Sequence, residues 1–245
     1  MTTYTHKPAM FALASGKRID LNNPRAEDID VRDICHNLSG IIRFNGALPP
    51  RDGSLSGPPV LYTVAEHTLH VAACAMELAH GAPEAYLRDV VHAALLHDAA
   101  EAYVGDMTSP MKQALRLLAA IHDGIGFDGK PYDFSGFDHV EFMVNRAIAE
   151  HFNFAATDEI AALVKDADVR VYAAECVQLR RWDVADFEGC GGANLHAMRW
   201  QGTVHACRPF LVKSLLSYAF LTVRDTTVNP LDLIAMLRHR MKMER

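Results

Sequence analysis

The chain has no long apolar run, no basic stripe, no internal repeat and no closely spaced pair of cysteines, and each absence removes a class of protein. No stretch is apolar enough over sufficient length to predict a bilayer-crossing helix, so no membrane partner is expected. Nucleic-acid binding needs clustered Lys and Arg. Here 24 basic residues face 30 acidic ones, for a net charge of −6, so no nucleic-acid partner is expected either. A small phosphorylated molecule gripped by a few local cations remains compatible with an acidic whole. The five cysteines, Cys35, Cys74, Cys176, Cys190 and Cys207, are odd in number and irregularly spaced, which predicts reduced thiols and no cysteine ligand to a metal. With no signal-peptide pattern, the expected location is the cytoplasm.

At 245 residues and 50% hydrophobic, the chain can bury an ordinary globular core. Residues 1 to 26 read as extended and polar, with a short strand or turn at 17 to 24. Asp28 or Asp30 is expected to cap a helix running to about Arg43. Residues 46 to 59, rich in Gly and Pro, cannot be helix or central strand. Thr63 is a fair N-cap with Glu66 as its capping-box partner, and Val64, His67 and Val71 share the inward face of the helix that follows. A second loop spans 122 to 137, followed by a helix over 138 to 151. Gly189, Gly191 and Gly192 break the long final helix of the core, and helices over 205 to 223 and 230 to 243 close the chain. Both long loops could shape substrate access or be surface decoration. The expected fold is therefore all-α, with a domain at 1–188 and a C-terminal helical extension at 189–245. The apolar run 210 to 221 demands a partner, either that domain or another subunit, so a homo-oligomer is expected.

The most informative residues are His97 and Asp98, adjacent at the end of an apolar helix, with Glu101 four and three positions on, where on a helix it would share their face. A buried His and a buried Asp need compensation for their lost hydration, and a divalent cation satisfies both. Ligands from elsewhere must complete such a site. His67 lies on an inward stripe, and so does Asp168 in the periodic segment 163 to 175, whereas Asp166 falls off it. His67, His97, Asp98 and Asp168 suit Co²⁺, Mn²⁺, Zn²⁺ or Fe²⁺, with Mg²⁺ also a candidate.

His67, then His97-Asp98, then Asp168 resembles the H…HD…D signature of the HD-domain phosphohydrolases. Segments 65–69, 97–101, 105–112 and 164–168 are similar, in order, to the bacterial 5′-deoxynucleotidase branch and to the allied phage dATP triphosphohydrolases. Residues 34 to 46 look like the start of the same domain, and the likeness covers about 19 to 185. It implies an HD-domain helical bundle with extra C-terminal helices, located in the host cytoplasm if the chain is phage-borne. It further implies a hydrolase that removes a 5′-phosphate or triphosphate from a small-molecule deoxynucleotide, using water activated at the metal.

In that resemblance Glu101 is the catalytic carboxylate that takes the proton of the attacking water. Arg43 and Lys112 match phosphate-gripping residues, Asp106 lies where relatives approach the sugar or leaving group, and Phe44 stacks on the base. The bland alternatives are an ordinary ion pair for each cation, a turn residue for Asp106 and a core aromatic for Phe44. The offset of Lys112 from His97 leans toward dATP or dAMP. Two rival classes are a di-metal HD phosphodiesterase or oxygenase, which needs further imidazoles such as His122 or His139, and a non-catalytic nucleotide-binding HD module.

Overall fold

The computed structural model describes residues 8–50, 56–122, 136–180, 199–204 and 209–242. The described chain is mostly helical, as the sequence pattern requires, with a two-stranded sheet besides. It divides into two compact units, one formed by residues 1–37 and 99–154, the other by 38–98 and 155–245.

In the first unit, β1 (Met10–Ala12) pairs antiparallel with β2 (Arg18–Asp20), putting Phe11 opposite Ile19. This meets the expectation of a short strand before Pro24. The hairpin is tied to α1 (Val31–Leu38) because Ser15 donates from both its backbone amide and its hydroxyl to Asp33, at 2.8 and 2.6 Å. Then come α4 (Glu101–Val104), α5 (Ser109–His122) and α6 (Gly136–Phe152), with α6 packed on α4, α5 and the 3-10 turn Ala26–Asp28.

The second unit is built around α2 (Val64–Leu78), whose residues from Val64 to Met76 are all buried. The predicted capping box forms: Thr63 Oγ1 accepts from the Glu66 amide at 3.3 Å, and Glu66 Oε2 accepts from the Thr63 amide at 2.6 Å. Against α2 pack α3 (Glu84–Leu96) and α7 (Asp158–Gln178), together with α8 (Pro209–Thr222) and α9 (Pro230–Lys242). Val212, Leu216 and Ala219 of α8 are buried, so much of the apolar run near the C-terminus finds its cover on α2 and α3 of the same unit. Arg88 fastens the α8–α9 connection by donating to the carbonyls of Val223, Asp225 and Val228 at 2.6 to 3.0 Å.

Two local expectations need correction. The helix capped near Asp30 stops at Leu38 instead of running to Arg43. Asp30 does cap it, its Oδ1 accepting from the Arg32 amide at 2.9 Å. Beyond Gly40 the backbone becomes extended, because Ile42 pairs with Thr63, and the Arg43 amide donates to the Tyr62 carbonyl at 2.8 Å. The second correction concerns Glu101, expected to share a helical face with His97 and Asp98. Helix α3 ends at Leu96, a turn follows, and Glu101 opens the separate short helix α4.

The loop at 46 to 59 is irregular where it is described, and 51–55 lie outside the described residues. So do 123–135, the glycine break at 189 to 192, Cys190, and the residues from His205 to Cys207. Among the described residues no helix is long and apolar enough to cross a membrane.

Candidate metal centre

Helix α2 delivers His67, the end of α3 delivers His97 and Asp98, and α7 delivers Asp168. The donor atoms of His67, His97 and Asp98 lie within 4.8 Å of one another. His67 Nε2 is 3.4 Å from His97 Nε2, 3.6 Å from Asp98 Oδ2 and 3.2 Å from Asp168 Oδ1. Ligands about 2 Å from one ion and at right angles to each other stand roughly 3 Å apart, so these separations fit a shared cation. Asp168 is also held by Lys165 Nζ at 2.6 Å, while the neighbouring Asp166 turns away and pairs with Arg170.

Both rings present the same nitrogen. His97 Nδ1 donates to the Ala94 carbonyl at 2.7 Å, and His67 Nδ1 donates to Glu175 Oε1 at 2.6 Å. A carbonyl and a carboxylate only accept, so each Nδ1 carries a proton and each Nε2 is the nitrogen turned to the cluster, the one whose lone pair an ion would use in place of a proton.

The local field demands positive charge. Burial and Arg43 both oppose a protonated His67, yet Glu175 and Asp168 outweigh them and lift the ring to about 10. Burial also opposes ionisation of Asp98, but His97, His67 and Arg43 hold its carboxyl well below the usual range. Asp168 is likewise held low against burial, by His67, His97 and Lys165. An environment that would keep a proton this firmly suits a divalent ion, and oxygen plus imidazole donors suit Mn²⁺, Co²⁺, Zn²⁺ or Fe²⁺.

Arg43 reaches the same cluster. Its Nη1 is 3.7 Å from Asp98 Oδ2 and its Nη2 is 3.3 Å from Glu175 Oε2. Phe44, next in the chain, adopts φ +56°, a conformation rare for a bulky residue. Its ring lies 6.2 Å from that of Tyr172 and under the guanidinium carbons of Arg43 and Arg180 at 5.4 and 5.2 Å. Glu101, Asp106 and Lys112 belong to the first unit. There Glu101 is buried, and Lys112 Nζ donates to both carboxylate oxygens of Glu141 at 3.0 and 3.1 Å. The ion-pair alternative for Lys112 is thus realised.

Glu175 was absent from the expected site, although it is wholly buried beside His67. A signal existed: it stands on the same helical stripe of α7 as Asp168, where an ionisable side chain needs a reason to be inward.

A helical fold whose described residues bring two imidazoles and a carboxylate within 4.8 Å of one another, with Asp168 Oδ1 3.2 Å from His67 Nε2, defines a candidate metal centre. The HD domain model matches residues 50–120, which carry His67, His97 and Asp98. That match supports a metal-dependent hydrolase in general. The chain is also similar to an uncharacterized protein of Rhodobacter capsulatus, 36% identical over 125 residues. The alignment takes in 47% of this chain and 58% of the relative.

Proposed function

We propose that the protein is a metal-dependent phosphohydrolase that releases the 5′-phosphate or triphosphate of deoxynucleotides, with dATP and dAMP favoured. The observation that carries this reading is the guanidinium of Arg43, 3.7 Å from Asp98 in the cluster of His67, His97 and Asp98 donors, a charge pattern that a phosphate group complements. His67, His97, Asp98 and Asp168 would hold the ion, which when bound supplies Lewis acidity toward phosphoryl oxygen and water.

The chain's own groups do the rest. Arg43 donates to phosphate oxygens, exchanging its contact with Asp98 for a shorter, charge-assisted one. Phe44 offers a ring to the base, with Tyr172 beside it. Glu101, three residues after Asp98 in sequence, is assigned as the general base that accepts the proton of the attacking water. Lys112 and Asp106 are assigned to phosphate and sugar on the resemblance alone; for Lys112 this requires release from Glu141. Self-association through the exposed face of α8, where Tyr218 and Leu221 are open, belongs to the same reading.

The test is phosphate and polyphosphate release from a panel of deoxynucleoside and ribonucleoside mono- and triphosphates, with Co²⁺, Mn²⁺, Zn²⁺, Fe²⁺ and Mg²⁺ in turn. Release from dATP or dAMP above the other substrates is expected. Metal uptake without release from any nucleotide would leave a binding module, and two bound ions per chain would favour the di-metal class.

A further inference from the structure

We propose that Glu175 is a positioning residue for the metal ligand His67, held in that role by Tyr62, with His70 behind it. The inference deepens the reading above and rests on His67 being a ligand. Glu175 is fully buried on α7, and its Oε1 receives two hydrogen bonds, from His67 Nδ1 at 2.6 Å and from the Tyr62 hydroxyl at 2.7 Å. Its Oε2 faces Arg43 Nη2 at 3.3 Å.

Proton direction along this chain of contacts is fixed by chemistry. A carboxylate only accepts, so Tyr62 spends its single hydroxyl proton on Glu175 and must itself accept from His70 Nδ1, 2.9 Å away. The Tyr62 and His70 rings also stack, 6.0 Å apart at 23°. Every member is buried, so no water competes for these bonds. The result is one sense of hydrogen bonding from His70 through Tyr62 to Glu175, ending on the nitrogen of His67 that faces away from the cluster. That leaves His67 Nε2 as the lone-pair donor, and the carboxylate makes the imidazole a stronger ligand.

A glutamine cannot replace this carboxylate. Its amide has one accepting end and one donating end, so it can serve His67 and Tyr62 or accept from Arg43, but not both. Loss of the Tyr62 hydroxyl leaves Glu175 with one donor fewer at Oε1 and returns a torsional freedom to the carboxylate.

Co²⁺ titration of the full-length chain, read by visible absorption and by calorimetry, tests the assignment without recourse to turnover. Glu175→Gln should weaken Co²⁺ binding by roughly 10- to 100-fold and shift the absorption bands. Tyr62→Phe should weaken it by about fivefold, the equivalent of one neutral hydrogen bond. Circular dichroism establishes that each variant is folded, and Tyr62→Phe carries the test if Glu175→Gln is not. Wild-type affinity and spectrum in the folded variants overturn the inference alone. A wild-type chain that takes up no Co²⁺ overturns the metal reading itself, and the inference with it.

Discussion

His97 Nε2 and Asp98 Oδ2 lie 3.1 Å apart, so two consecutive residues aim their donors at one point just past the end of α3. Neighbours on a regular helix project about 100° apart. Convergence here comes at the helix end, where the chain passes into a turn and the His97 ring is pinned to the Ala94 carbonyl one turn back. The dipeptide therefore presents its two donors side by side, with the His67 donor from α2 within 4.8 Å of both.

Removing the α7 contribution should cost most of the ion affinity. Asp168→Asn keeps the shape but takes away the charge beside His67 and Lys165. Calorimetric Co²⁺ titration should show a loss larger than the roughly 10- to 100-fold typical of a supporting residue. An affinity equal to that of the parent would remove Asp168 from the ligand set.

Glu101→Gln separates chemistry from binding. With the ion still bound, turnover of the best nucleotide should fall by roughly 10²- to 10⁴-fold, the range of a lost general base. Unchanged phosphate release would strip Glu101 of the role assigned to it.

Acid should weaken the fold through His92, away from the cluster on α3. Burial, with Arg224 adding to it, pushes this ring down to about 4. An unfolded histidine titrates near 6.5. Between those values the unfolded chain binds the extra proton, so stability is full above about 6.5 and is lost as pH falls toward 4, by at most about 3 kcal/mol. Urea melts across that range should show the slope, and His92→Gln should flatten it. A parallel slope in the variant would assign the acid sensitivity to other groups.

Gly105 closes α4 with φ +82° and ψ 159°, a region essentially reserved for glycine. Beyond its chain neighbours, no atom of the described residues lies within 4 Å of an added Cβ, so Gly105→Ala meets chiefly backbone strain. A cost of about 1–3 kcal/mol is expected, with Tm lowered by roughly 2–4 °C for each kcal/mol. A melting temperature unchanged by Gly105→Ala would contradict that backbone.

What the sequence made legible was local. The Thr63–Glu66 cap, the end of α3 at His97 and the inward stripe holding Asp168 but not Asp166 all follow from spacing within a few residues. What it hid depends on partners far along the chain. Helix α1 stops early because Ile42 pairs with Thr63, Lys112 finds Glu141 on another helix, and Phe44 takes a left-handed conformation against its own preference, although Asn45 beside it favours one. Glu175 shows both sides: its stripe position was readable, but its bonds to Tyr62 and His67 were not.

The bond between His67 and Glu175 joins residues 108 positions apart. Closing a flexible loop of that length costs on the order of 4 kcal/mol in chain entropy. The two can meet only after the whole stretch from His67 to Glu175 has left the ribosome, and until then His67, His97 and Asp98 lack their α7 partners. An ion that needed donors from both α2 and α7 would therefore be captured only after both helices have been made.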